Sequence, residues 1–168
     1  LGLGTAYIHG FKWAIDNGYE FIFEMDCDFS HNPNDLIRLY NACKIGGADL
    51  SIGSRYCKGG RVSNWPLKRI LMSYFASVYV RLILFISIKD TTAGFKCYRK
   101  KVLETINLEA VTFKGYAFQI CMKYAAIQNG FKHTMWSNDY DDVEDAVQNG
   151  VKRTEVDEHK IISDIEDV

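Results

Sequence analysis

No stretch of this 168-residue sequence is long and apolar enough to cross a bilayer. The longest apolar run, Phe75 to Ile88, is interrupted by Arg81 and falls short of the roughly 20 residues that a spanning helix needs. The five cysteines, Cys27, Cys43, Cys57, Cys97 and Cys121, are odd in number and include no Cys-x-x-Cys pair. That argues against a disulfide framework or a zinc site and for a reduced, intracellular setting. Internal repeats and low-complexity tracts are also missing. The chain starts at Leu1 rather than Met, with no charged n-region and no cleavage signal. It is therefore expected to be a fragment or a processed form.

What is present suits one packed domain. Hydrophobic residues make up 48% of the chain and aromatic residues 14%, ample for a core and far from a disordered composition. Charge is unevenly placed. Up to Asn138 there are 17 Lys/Arg and 10 Asp/Glu, whereas from Asp139 onward there are 3 and 11. The basic part suits anionic partners such as phosphates or membrane headgroups, and a solvated surface with an acidic tail explains the same numbers.

Helical and strand patterns alternate along the chain. Helices are expected from Thr5 to Asp16, from Asn32-Pro33 to about Cys43, from Pro66 to about Phe85, from Lys100 to Ile106 and from Tyr116 to Gln128. Asn32 is read as the cap of the second, with Pro33 in its first turn. Strands are expected at Tyr19 to Met25, Asp49 to Ser54, Phe95 to Tyr98 and Phe131 to Trp136. The first is nearly continuous in apolar residues, as for a strand buried on both faces. The order defines an α/β class with a mostly parallel sheet flanked by helices. Residues 1–136 form the domain, and 137–168 a divergent acidic tail.

Three segments carry chemistry. In Glu24-Met25-Asp26-Cys27-Asp28-Phe29-Ser30-His31, two carboxylates sit two apart directly after a strand. Ligands of open α/β sheets bind outside the carboxyl ends of strands, and hard oxygen ligands there suit Mg²⁺ or Mn²⁺ bridging to a diphosphate. A pair of caps ahead of the next helix is the plainer reading of the same residues. Gly53-Ser54-Arg55-Tyr56-Cys57-Lys58-Gly59-Gly60-Arg61, followed by Lys68-Arg69, offers forked donors and close backbone approach for phosphate oxygens. An exposed basic loop is its alternative. Nucleic acid fits worse, since no aromatic stacking pattern or recognition helix accompanies the charges. Asp90-Thr91-Thr92-Ala93-Gly94-Phe95 reads either as a tight loop beside a ligand or as an ordinary turn into a strand. The cysteines read as small core residues, and His31 as a loop hydrogen-bond donor or a neighbour of the site.

In order, GLGTAY-x₃-GF, MDCDFSHNP, IGSRY-x-KGGRV-x-NWP, DTTAGFKCYR-x-x-VL and GYAFQI resemble the polyprenol-phosphate (dolichol-phosphate) mannosyltransferases. These are inverting enzymes of glycosyltransferase family 2 with a GT-A fold. The resemblance runs from Leu1 to about Phe131. It implies transfer of mannose from GDP-mannose to a polyprenyl phosphate, with Mg²⁺ or Mn²⁺ on Asp26 and Asp28 and with Ser30 at a further ligand position. It implies acceptor-phosphate roles for Arg55 and Arg69, and a site-lining loop of Asp90, Thr92 and Gly94. It also implies a cytoplasmic protein, peripheral at the cytosolic face of a membrane, with or without an anchoring subunit.

Three departures from the family pattern stand out. The first strands and the Pro-x-Tyr-Asn-Glu motif that hold the nucleotide are missing, Cys121 stands where the family usually has Glu, and an acidic segment from Asp139 replaces a basic loop. Little transferase activity is therefore expected of the chain as it stands. Alternatives are another family 2 enzyme, such as a polyprenyl-phosphate glucosyltransferase, an inactive truncated paralogue, or, further off, a nucleotidyltransferase.

Overall fold

The computed structural model describes residues 2–27, 31–57, 66–113 and 115–137. The Asp28 and Ser30 expectations, the glycine-rich stretch 58–65 and the acidic segment from 138 onward lie outside the described residues.

Helix α1 (Leu3–Asp16) leads into strand β1 (Phe21–Glu24), helix α2 (Asp35–Lys44) and strand β2 (Leu50–Ser54). The long helix α3 (Leu67–Leu84) follows, then strand β3 (Lys96–Arg99) and the short helix α4 (Lys100–Thr105). A 3-10 turn at Leu108–Ala110, helix α5 (Tyr116–Gln128) and strand β4 (His133–Ser137) complete the described chain. The sheet order is β1-β3-β2-β4. Strands β1, β2 and β4 run in one direction, and β3 is inserted between β1 and β2 in the opposite one. Sequence periodicity does not reveal that reversal, because it depends on which distant strands pair.

Period-two alternation gives the sheet two apolar faces. On one face Ile22, Leu50, Ile52 and Tyr98 join Phe11, Phe118, Met122 and Ala126 from α1 and α5 in the larger core. On the other, Leu39 and Cys43 of α2 meet Phe95 and Cys97, with Phe21, Phe23 and Trp136 alongside. Strand β2 is buried throughout, its serines Ser51 and Ser54 included. Strand β1 instead alternates between buried and half-buried residues, because it stands at the edge of the described sheet rather than between two neighbours.

The second helix begins later than the sequence suggests. Asn32, Pro33 and Asn34 form a turn in which Asn32 Oδ1 accepts from the Asn34 amide at 3.1 Å, and the helix starts at Asp35. The cysteines divide: Cys43 and Cys97 are buried core residues as expected, Cys57 and Cys121 are half-buried, and Cys27 is exposed beside Asp26.

Helix α3 differs from the other long helices. Its one buried residue is Ser77, and Leu67, Met72, Phe75, Tyr79, Leu82 and Ile83 are exposed. It ends at Phe85, a non-glycine residue in left-handed backbone (φ 52°) that is 93% exposed.

Candidate functional site

The site is built from one loop, residues 90–95, which runs between two strand ends. Asp26 follows β1 by two residues, at its carboxyl end. Tyr7, on α1, donates its hydroxyl to Asp26 Oδ1 at 3.1 Å. The Tyr7 ring is fixed by stacking on Phe118, with centroids 5.8 Å apart. Burial, then the Glu24 and Asp26 charges, raise the Tyr7 phenol, so it stays a donor. His31 stacks on Phe95 at 4.8 Å and brings Nε2 to 3.9 Å from Asp26 Oδ2. The Asp26 side chain keeps 44% of its surface exposed.

Gly94 lies against the same carboxylate. A Cβ at that position would come within 3.1 Å of Asp26 Oδ2 and 3.5 Å of Oδ1. Glycine leaves that approach open, whereas a Cβ would press on the carboxylate. Two predicted site residues, 68 positions apart by number, thus meet at one oxygen edge.

Arg55 stands directly after β2 and meets the start of the loop. Its backbone N–H donates to Asp90 Oδ2 at 3.0 Å, its Nε to the same oxygen at 2.8 Å, and its Nη2 to Oδ1 at 2.6 Å. The same Nη2 donates to Thr92 Oγ1 at 2.8 Å. This is the fork-on-carboxylate geometry that arginine forms and lysine does not. Asp90 has no exposed side-chain surface and Arg55 has 15%. Burial pushes the Asp90 carboxyl up, but the Arg55 hydrogen bonds and charge, with Lys123 behind them, hold it below the usual carboxylate range. Burial likewise opposes the Arg55 charge, and Asp90 more than restores it. Arg69 sits exposed in the first turn of α3, its amide bonded to Pro66 O at 2.9 Å.

Beneath the loop lie polar residues that motif reading passed over. Glu24 and Lys96 face each other across β1 and β3 and form an ion pair at 2.9 Å with no side-chain exposure. Gln119 of α5 bridges them, accepting from Lys96 Nζ and donating to Glu24 Oε1. Four residues on, Lys123 is also buried and donates to the carbonyls of Thr91 and Ala93. Two polar residues four apart, interleaved with Phe118, Met122 and Ala126 on a helix, are the sequence signal that marks this face. Cys121, in place of the Glu that the resemblance implies, packs against the larger core, and burial raises its thiol.

As donors for a divalent cation, the described residues supply the half-exposed Asp26 carboxylate and the cradle that Gly94 leaves beside it. These fit a hard cation at that edge. Among the described residues no group of three or more His, Cys, Asp or Glu side chains gathers into a cation site.

A carboxylate at the end of one strand, an arginine at the end of the next strand running the same way, and a loop holding both define an α/β protein with its ligand edge outside the strand ends. Residues 1–106 match the model of glycosyl transferase family 2, and the chain belongs to that family. It is 52% identical over 130 residues to the polyprenol monophosphomannose synthase of Mycolicibacterium smegmatis, covering 77% of this chain and 49% of the relative. It is 44% identical over 129 residues to the undecaprenyl-phosphate mannosyltransferase of Micrococcus luteus, covering 77% and 52%. The dolichol-phosphate mannosyltransferase of Pyrococcus furiosus is 44% identical over 115 residues, covering 67% and 32%. The chain thus spans about half the length of the two bacterial relatives.

Proposed function

We propose that the protein serves an inverting transfer of mannose from a nucleotide-mannose donor to a polyprenyl phosphate. The observation that carries this is the single loop that seats Arg55 on Asp90 and Thr92 while laying Gly94 against Asp26. An acidic donor side and a basic acceptor side are what two anionic substrates require. The names of the relatives, each a synthase or transferase of mannose on a polyprenyl-type phosphate, support the substrate class. GDP-mannose is the donor that the resemblance implies.

In this reading Asp26, with Asp28 and Ser30, holds Mg²⁺ or Mn²⁺. When bound, such a cation neutralises a diphosphate and improves it as a leaving group. Tyr7 orients the Asp26 carboxylate through Oδ1. A lipid phosphate oxygen, already anionic at neutral pH, attacks the anomeric carbon. The bond from that carbon to the donor diphosphate breaks, the diphosphate leaves, and the configuration inverts. Arg55 and Arg69 hold the acceptor phosphate and offset repulsion between the two anions.

Arg55 has a second reading. Its Nε, Nη2 and backbone N–H all engage Asp90 or Thr92, which suits a fixed buttress of the loop. Arg55→Lys separates the two, because lysine keeps the charge and loses the fork. Retained acceptor KM favours charge, and its loss together with loop order favours the buttress.

The membrane side of the proposal rests on α3. No helix among the described residues is long and apolar enough to cross a membrane. The exposed Leu67, Met72, Phe75, Tyr79, Leu82 and Ile83 nevertheless form an apolar surface larger than isolated exposed side chains, with Lys68 and Arg69 exposed at its start. A peripheral site on a membrane whose lipid phosphate is the acceptor suits that surface.

The test is an assay of the protein expressed from its complete coding sequence, with labelled GDP-mannose, polyprenyl phosphate and Mg²⁺ or Mn²⁺. Lipid-linked mannose, lost in Asp26→Asn, is the expected result. Lipid product from UDP-glucose alone would move the donor assignment to glucose.

A further inference from the structure

Lys123 is placed where a lysine is least expected. It lies on the face of α5 that carries Phe118, Met122 and Ala126, and it has no exposed surface. Burial drives its amine well below the ordinary lysine value, and Lys96 adds to that. A buried amine is tolerated only where its donors are satisfied. Here Nζ donates to Thr91 O at 2.9 Å and to Ala93 O at 2.7 Å.

Those two carbonyls belong to the loop of the candidate site, and their spacing matters. Residues 91 and 93 are held from beneath, and residues 90, 92 and 94 make the contacts described above. Asp90 and Thr92 seat Arg55, and Gly94 abuts Asp26. Thr91 also ties the loop to α3 by donating to Ser77 Oγ at 3.2 Å. Lys123 is itself held in register. Gln119, one turn earlier on the same helix, is locked to Glu24 and Lys96 of β1 and β3. A chain of bonds therefore runs from two strands, through α5, to alternate carbonyls of the loop.

We propose that Lys123 is a positioning residue: a strut that sets the 90–95 loop and so fixes the distance and angle between Arg55 and Asp26. It touches no reacting group in this reading. Its effect on transfer rests on the function proposed above, but its effect on the loop does not.

Hydrogen exchange on the full chain separates the two. In Lys123→Met, amides of residues 90–95 and 53–57 should exchange about tenfold faster or more, on the scale of losing a buried donor. Amides of α2 and β4 should be unchanged, and Lys123→Arg, which keeps the donors, should restore protection. In transfer assays Lys123→Met should lower kcat about 10- to 100-fold, the scale of a misplaced reacting pair, with both KM values little changed.

Unchanged loop protection in Lys123→Met, or equal acceleration across the whole sheet, would overturn the proposal. If the Met variant does not fold, Lys123→Gln and Lys123→Arg decide it. Loop-confined acceleration in Gln but not Arg supports the strut, and equal protection in both rejects it. Absence of mannosyl transfer in the wild type would reject the functional reading while leaving the exchange result to decide the role of Lys123.

Discussion

Helix α5 buries two polar side chains, Gln119 and Lys123, among Phe118, Met122 and Ala126, whereas α3 buries one serine and leaves Leu67, Met72, Phe75 and Leu82 in the open. The buried polar groups of α5 have protein partners: Glu24 and Lys96 for Gln119, and the loop carbonyls of Thr91 and Ala93 for Lys123. The exposed apolar groups of α3 have none of comparable extent among the described residues. A folded chain accepts either inversion of the usual pattern when something else supplies the missing partner. For α5 that partner is the candidate site itself, and for α3 it is proposed to be the lipid surface.

The largest effect is expected where α5 meets the sheet. Glu24→Ala leaves the Lys96 amine buried and without its counter-ion, which should cost about 3–5 kcal/mol of stability in chemical denaturation. A double change to Glu24→Leu and Lys96→Met should recover most of that loss. If Glu24→Ala costs under about 1 kcal/mol, the triad is not what holds α5 in register.

Next in size is the clamp at the other end of the loop. Asp90→Asn should cost about 2–3 kcal/mol, the scale of hydrogen bonds to a charged group. The Asp90 carboxyl titrates lower in the folded chain than in the unfolded one. Its contribution is therefore complete above the ordinary carboxylate value of about 4 and is lost as pH falls through the lower folded value. Denaturation between neutral and acid pH should show wild-type stability falling across that window, with a shallower fall in Asp90→Asn. Parallel slopes would contradict the pairing.

On α3 the expected effect on stability is small and the effect on partners large. Met72→Ser with Phe75→Ser should change unfolding free energy by no more than about 0.5 kcal/mol, since both side chains are already in solvent. Co-sedimentation with anionic vesicles should fall severalfold in the same variant. Unaltered vesicle binding would remove the lipid surface as the partner of α3. At the end of α3, Phe85→Gly should stabilise the chain by about 1 kcal/mol, because glycine adopts left-handed backbone without the Cβ penalty. Thermal melting measures it, and a lowered Tm would mean that the exposed ring has a contact worth more than the strain.

The contrast between the helices also marks what was legible in the sequence. Among the described residues, apolar runs and periodicity locate the four strands and five α-helices within a few residues, because local pattern follows from burial. The resemblance led to the family that the chain belongs to. Asp26 and Gly94, and Arg55, Asp90 and Thr92, each stand in a motif of the sequence, but the motifs do not reveal their pairing. The bonds joining them span 35 residues or more, and only the fold brings them within reach. The reversal of β3 and the position of β1 at the edge of the described sheet are hidden for the same reason. Lys123 escaped because a lysine on a helix reads as solvent-facing unless its neighbours are weighed together. Asn-Pro opens many helices, which makes Asn32 a cap candidate in the sequence. Here its side chain closes a turn on Asn34 instead.

The rate of mannosyl transfer by Gly94→Ala, measured against wild type from the complete coding sequence, bears directly on the claim that one loop joins the two halves of the site. The backbone at Gly94 is not left-handed, so alanine is accepted there, yet its Cβ would press within 3.1 Å of Asp26 Oδ2. Transfer to polyprenyl phosphate should fall about 10- to 100-fold with unfolding stability nearly unchanged. Wild-type transfer by Gly94→Ala would show that the Asp26 edge is not where the donor is held.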